Sequence, residues 1–212
     1  MIKIQDTVKE VLYADEEALY ALSRCFMNLS AYSKQIKKIV EQKTRKTVKS
    51  SGIVVALSRI QKSLKNINPM IQDIKIENIT TKSPLSELVF EKNPKILENL
   101  SNLYKSVKTN NDDFLTTNLS SNEVSIICSD RIKSKVLVAL ASTPVMIQTQ
   151  LASIGLSLDP KYYKMPNITY SLIRKIARKK ILLAETITTH TEIIFVFHHK
   201  DLPEMMQLFE IN

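Results

Sequence analysis

The sequence predicts an α+β chain in three parts: a three-helix, helix-turn-helix-like module over residues 1–68, then two ferredoxin-like βαββαβ units over 69–150 and 151–212. Three observations predict it. Apolar residues recur at helical spacing up to about residue 65, and strand-like alternation takes over from residue 71. After that point the order strand, proline-started helix, strand, strand, helix occurs twice.

In the amino-terminal module Asp15 is placed to cap a helix of about three turns, with Glu16 and Glu17 at the positive end of its dipole. Ala18, Leu22, Cys25, Phe26 and Leu29 recur on one face of it. Asn28 or Ser30 can cap a second helix that turns Tyr32, Ile36, Ile39 and Val40 inward and Lys34, Lys37, Lys38 and Glu41 outward. Ser50 or Ser51 can cap a third, with Ile53, Leu57, Ile60 and Leu64 inside and Ser58, Arg59, Lys62 and Lys65 outside.

The later elements follow in the same way. "IQDIKIENIT" and "LSELVFEK" read as two strands separated by the breaker "KSP". "PKILENLSNLYKSV" reads as a helix, "TNND" as a turn, "DFLTTNLS" and "EVSIICS" as strands, and "DRIKSKVLVALAS" as a second helix. "PVMIQTQLASIGLSL" is a long strand, followed by the loop "DPKYYKM" and a helix opening at Pro166. Strands "ILLAETITT" and "EIIFVFHH" and the helix "KDLPEMMQLFEI", with Pro203 in its first turn, complete the chain. "NPKILENL" answers "MPNITYSL" in this reading, and the second unit lacks a closing strand, for which the 71–90 region is the expected donor.

Composition narrows the chemistry. The only glycines are Gly52 and Gly155, too few for the phosphate-cradling loops of nucleotide-binding enzymes. Cys25 and Cys128 form no CxxC, and "MIKIQDTVKE" does not read as a signal peptide, so a reducing cytoplasmic setting is expected. The apolar runs fall far short of the roughly 20 residues that span a bilayer, so no membrane role is expected. His190, His198 and His199 have no partners at ligand spacing, Asp112 and Asp113 lie in a polar turn, and no nucleophile-elbow motif occurs. No cofactor, no metal and no enzymatic activity are expected.

The net charge of +9 is concentrated. Residues 34–65 hold ten positive side chains against Glu41 alone, so this segment carries all of it. Such a module suits an anionic partner. In a helix-turn-helix the second helix of the pair enters the major groove of DNA while flanking basic residues bind phosphates. Helix 50–65 would then present Lys49, Ser50, Ser51, Val55 and Arg59, with Lys34, Lys37, Lys38, Arg45 and Lys46 on the backbone. Packing against another domain, or binding an acidic protein, would use the same charges.

Residues 166–202, "PNITYSLIRKIARKKILLAETITTHTEIIFVFHHKDL", resemble an ACT domain, closest to the regulatory ACT pair of aspartate kinases. The resemblance is carried by the helix-opening proline, the "I-x-x-x-E-x-I-x-T" strand and "TEIIFVF"; over 71–150 only the element order supports it. It implies two regulatory domains side by side, a homodimer, and an amino acid or similar small effector held between the domains. The unpaired N–H groups of a proline-opened helix suit an effector carboxylate. The second copy would offer Met165, Pro166, Asn167 and Ile168, with Asp159 for an amino group, and the first Asn93, Pro94 and Lys95. Tyr162 and Tyr163 could line the pocket. Many ligand-binding members place glycine directly after the proline, where Asn167 stands here. The kinase domain has no counterpart, so the resemblance implies regulation, effected either on DNA or as a subunit docked on a metabolic enzyme.

Overall fold

Asp15 Oδ1 accepts from the Ala18 amide at 3.0 Å and Asn28 Oδ1 from the Ala31 amide at 3.0 Å, so both expected caps of the amino-terminal helices are in place. The structure, a computed structural model, describes residues 3–64, 74–107, 110 and 112–210. The chain divides into two units, 1–70 and 71–212.

Among its described residues the first unit has four helices: α1 (Ile4–Tyr13), α2 (Glu16–Ser23), α3 (Leu29–Thr44) and α4 (Ser50–Leu64). The sequence reading has no counterpart of α1. This helix supplies Val8 and Leu12 to a core shared with Leu22, Ile36, Val40, Ile53 and Leu57. Each such side chain contributes about 1.5–3 kcal/mol on burial. The helix expected to run from Asp15 to Leu29 stops at Ser23, because Cys25 lies in the left-handed region at φ 62° and breaks the spiral. Cys25 and Phe26 therefore leave the inward stripe; Phe26 is 75% exposed. Ile39, also expected inside, faces largely outward. Ser50 and Ser51 lie within the first turn of α4 and not before it. Lys65 lies outside the described residues. Asp15 also accepts from Tyr32 Oη at 3.2 Å, tying α2 to α3. Burial and that carboxylate push the Tyr32 phenol well above its ordinary pKa.

The second unit is one six-stranded antiparallel sheet, β1 (Ile76–Glu91), β2 (Leu115–Leu119), β3 (Glu123–Ser129), β4 (Met146–Leu158), β5 (Leu183–Thr188) and β6 (Glu192–His198), in the order β2-β3-β1-β4-β6-β5. The helices are α5 (Pro94–Ser106), α6 (Asp130–Leu140), α7 (Ile168–Arg178) and α8 (Leu202–Leu208). β1–α5–β2–β3–α6–β4 is one ferredoxin-like copy; β4–α7–β5–β6–α8 is the other, closed by the first half of β1. Residues 76–82 pair with 153–158, so the missing strand does come from the 71–90 region. The "KSP" breaker does not divide the strand. β1 passes through it with a cis Ser83–Pro84 bond and a register shift between Lys82 and Leu85. Residues 71–73 of the expected first strand, and Thr109 and Asn111 of the expected turn, lie outside the described residues.

Leu88 and Phe90 pack with Ile96, Leu103, Ile132 and Val136, and Ile154, Leu156 and Phe195 with Leu172, Ile176 and Met205, giving each copy its own helix-side core. Leu85, Ile127, Leu151 and Val196 form a separate buried cluster, placed by strand alternation on the other face. Gly155 sits between β1 and β6, where an added Cβ would lie 2.5 Å from Thr80 Oγ1 and closer still to Glu192 Oε1. Glu87 is almost fully buried in β1 and accepts from Ser125 Oγ at 2.6 Å. Burial raises its pKa above the ordinary 4.5, the Ser125 bond opposes this, and the charge of Glu185 adds to it.

Gly155→Ala is expected to cost about 1–3 kcal/mol by overpacking, part of it restored by a companion Thr80→Ala, as measured by urea unfolding. For Glu87, a raised folded pKa means that the folded chain holds the proton over a pH window opening above 4.5. Stability falls as pH rises through that window, and Glu87→Gln should raise the unfolding midpoint at neutral pH while flattening the pH dependence seen by calorimetry.

Candidate functional site

The register equates the two copies residue by residue. Leu85 faces Ser129 and Glu91 faces Glu123 in one; Leu151 faces His198 and Ser157 faces Glu192 in the other. Asn93-Pro94 after β1 thus corresponds to Asp159-Pro160 after β4. Pro166, taken from sequence as the counterpart of Pro94, is displaced from it by a 3-10 turn over Pro160–Lys164, and α7 itself begins only at Ile168.

That insertion opens a cavity of about 430 Å³ in the second copy. Its walls are the end of β4 (Leu158, Asp159), Tyr162, Met165, the start of α7 (Asn167 to Tyr170) and the β5–β6 turn (Thr188 to Ile193). Four residues expected from sequence, Asp159, Met165, Asn167 and Ile168, line it; Pro166 does not. Tyr162 also lines it, its hydroxyl accepting from the Lys75 amide at 3.0 Å; the side chain of Tyr163 is outside what the structure describes. Sequence reasoning does not reach the β5–β6 turn, since a strand connection distant in the chain carries no signal of which helix it will meet.

Asn167 explains part of the chemistry. It stands at φ 66°, ψ 14°, the left-handed conformation that glycine adopts freely and asparagine better than most residues. The side chain makes no capping bond, while the backbone carbonyl accepts from the Ser171 hydroxyl at 2.7 Å and the Ser171 amide at 2.9 Å. The first turn of α7 therefore borders the cavity with no capping side chain over it. Opposite in charge is the carboxylate of Asp159. Asp159 accepts from the Lys161 amide at 2.8 Å and lies 3.1 Å from Lys161 Nζ. The amide first, then the ammonium, hold its pKa below the ordinary range. Glu192 closes the turn through its backbone and Thr189, while its carboxylate accepts from Thr80 at 3.3 Å beside Gly155, on the sheet face away from α7. The rest of the polar wall is hydroxyl, amide and imidazole; no Lys or Arg lines it among the described residues.

The first copy differs. Asn93 Oδ1 accepts from the Ile96 amide at 3.0 Å, so that helix is closed by its own cap. A shallow cleft of about 560 Å³ lies at this end, between Glu91, Lys92 and the β2–β3 turn, and none of Asn93, Pro94 and Lys95 lines it. The three expected residues stand together at the helix start, outside that cleft.

In the first unit Lys34, Lys38, Arg45, Lys46, Lys49, Ser51 and Arg59 are exposed, while Ser50 and Lys37 are half-buried. Lys37 Nζ lies 3.9 Å from Glu41, whose carboxylate also accepts from the Val48 amide at 2.9 Å and so holds the connector between α3 and α4. That connector is five residues, Arg45 to Lys49, with Arg45 in the left-handed region. Elsewhere, burial pushes the Cys128 thiol up to about 11, away from the reactive thiolate form. No described helix is long and apolar enough to cross a membrane.

No family model matches the chain, and no curated protein matches it in sequence. Solved structures match in fold. The aspartate kinase of Clostridium acetobutylicum is 13% identical with a TM-score of 0.53, over 66% of this chain and 35% of that enzyme. The regulatory subunit of aspartate kinase from Thermus flavus is 10% identical with a TM-score of 0.50, over 64% of this chain and 99% of the subunit. Escherichia coli aspartokinase III, solved with aspartate and ADP, is 8% identical with a TM-score of 0.51, over 64% of this chain and 33% of that one. This chain thus spans about a third of the length of the whole kinases and nearly all of the separate regulatory subunit. The described residues of the second unit have the paired ferredoxin-like fold of the ACT regulatory domains of aspartate kinases.

Proposed function

We propose that this protein is a non-catalytic, cytoplasmic, homodimeric regulator that senses an amino acid through its second ACT-like copy and couples that binding to DNA through its basic amino-terminal unit. One observation carries the sensing half. The cavity sets the first turn of α7, a donor-rich positive pole, beside Asp159. That is the charge pattern of a zwitterion: carboxylate to the helix, ammonium to Asp159. No basic side chain lines the described wall, and the ammonium beside it, Lys161 Nζ, is already paired with Asp159 at 3.1 Å, so a neutral or cationic amino acid fits better than an acidic one. The fold likeness to aspartate kinase regulatory domains supports the reading.

The DNA half rests on the concentration of exposed positive charge on α3, α4 and their connector. A second reading is favoured by the coverage of a free-standing regulatory subunit: this chain would dock on a metabolic enzyme and never touch nucleic acid. The two differ in what the charges do.

A thermal screen of the common amino acids at millimolar concentration should show a raised midpoint with a neutral or basic member and none with aspartate or glutamate; saturation a hundredfold above Kd is worth about 2.7 kcal/mol. Thr169→Phe, which fills the cavity, should abolish the shift and leave the ligand-free midpoint in place. In filter binding across a salt series, duplex DNA affinity should fall steeply with salt. Neutralising Lys34, Lys38, Arg45 and Lys46 should make that dependence shallower, by up to about one unit of slope for each charge that had paired with a phosphate. Salt-independent binding, or none at low salt, would leave the enzyme-subunit reading.

A further inference from the structure

Of the two glycines, the structure accounts for one. Gly155 has no room for a side chain. Gly52, in the first turn of α4, has room: among the described residues a Cβ there would meet nothing within 4 Å, and its φ is not positive. In a helix interior only proline is less favourable than glycine, and no described residue opposes alanine here. A partner molecule can oppose it, because a missing Cβ lets a second surface approach the helix backbone more closely by the thickness of a methyl group.

The neighbours of Gly52 describe that surface. Val55 and Arg59 follow at i+3 and i+7, on one stripe of the helix. Val55 is 50% exposed, an apolar branched side chain held in water, and Arg59 is exposed beyond it. Exposed Lys46 and Lys49 lead into the turn. Ten positive side chains against one acid in 34–65 make the complementary surface a polyanion. A B-form major groove, about 12 Å wide, admits an α-helix; there an apolar side chain can meet thymine methyl groups, and an arginine fork pairs with guanine.

We infer that Gly52 is the point at which α4 meets duplex DNA: the helix lies in the major groove with its open first turn against the duplex and Val55 and Arg59 toward the bases. This rests on the DNA-binding reading and adds the face and the residue that set the approach. The test uses the full chain and a random-sequence duplex pool, selected for the sites the wild type prefers. Gly52→Ala should weaken binding to the selected duplex by about tenfold, roughly the penalty expected from overpacking a tight interface, while the thermal midpoint stays level or rises. Lys135→Ala, an exposed charge on α6, should change neither quantity. Unaltered affinity of Gly52→Ala, with wild-type binding intact and salt-dependent, overturns the assigned face but leaves DNA binding standing. Wild-type binding to polyglutamate but not to duplex DNA overturns both.

Discussion

The antiparallel pairing of β1 with β4 holds the second unit together, because each of these strands belongs to both ferredoxin-like copies. The second half of β1 and the first half of β4 complete one copy, and the remaining halves complete the other. Both strands are irregular where they pass from one copy to the next: β1 shifts register between Lys82 and Leu85, and β4 places Gln150 in the left-handed region at φ 58°. Just beyond, Leu85 and Leu151 pair across the sheet and join Ile127 and Val196 in one buried cluster. Neither copy can be removed without leaving the other short of a strand and exposing a row of unpaired backbone groups.

Shared strands do not make the copies equivalent. Both open their first connection with a polar residue and a proline, Asn93-Pro94 and Asp159-Pro160, and in both the polar side chain accepts from a backbone amide nearby. The first copy goes directly into α5. The second spends its cap on a 3-10 turn, so that α7 starts later, at a left-handed Asn167 whose side chain does not close the helix. A cavity with a donor-rich pole results at one end of a nearly two-fold object. The same insertion buries Tyr162 and brings its hydroxyl to the lead-in of β1, which links the wall of the cavity to the strand that both copies share.

The first unit is governed by a different balance. Val8, Leu12, Ile53 and Leu57 form an apolar core, yet the outer face of α3 and α4 gathers like charges that repel one another at a cost to stability. Only Glu41 offsets them within residues 34–65, and it is engaged with Lys37 and the Val48 amide. A polyanion would relieve that repulsion. Ligand binding in one unit and polyanion binding in the other are thermodynamically coupled whenever both favour the same conformation of the chain, and the coupling is reciprocal.

Much of this was written in local sequence. Asp15 and Asn28 as caps, the stripe Ile53, Leu57, Ile60 and Leu64, the strands "EVSIICS" and "EIIFVFHH", and the strand borrowed to close the second copy all follow from spacing, capping chemistry and element order, which act over a few residues and survive into the fold. So did four residues of the cavity, because a helix start and the loop before it are neighbours in the chain. Tertiary structure decided the rest. α1 became a core helix by packing on α3 and α4; β1 crossed the "KSP" breaker because partners on either side outweighed a local preference; and the proline equivalent to Pro94 proved to be Pro160, which only register reveals. The β5–β6 turn joined the cavity because the sheet carries it to α7. Periodicity records which way a residue faces; what it faces depends on packing between segments far apart in the chain, and no local pattern encodes that.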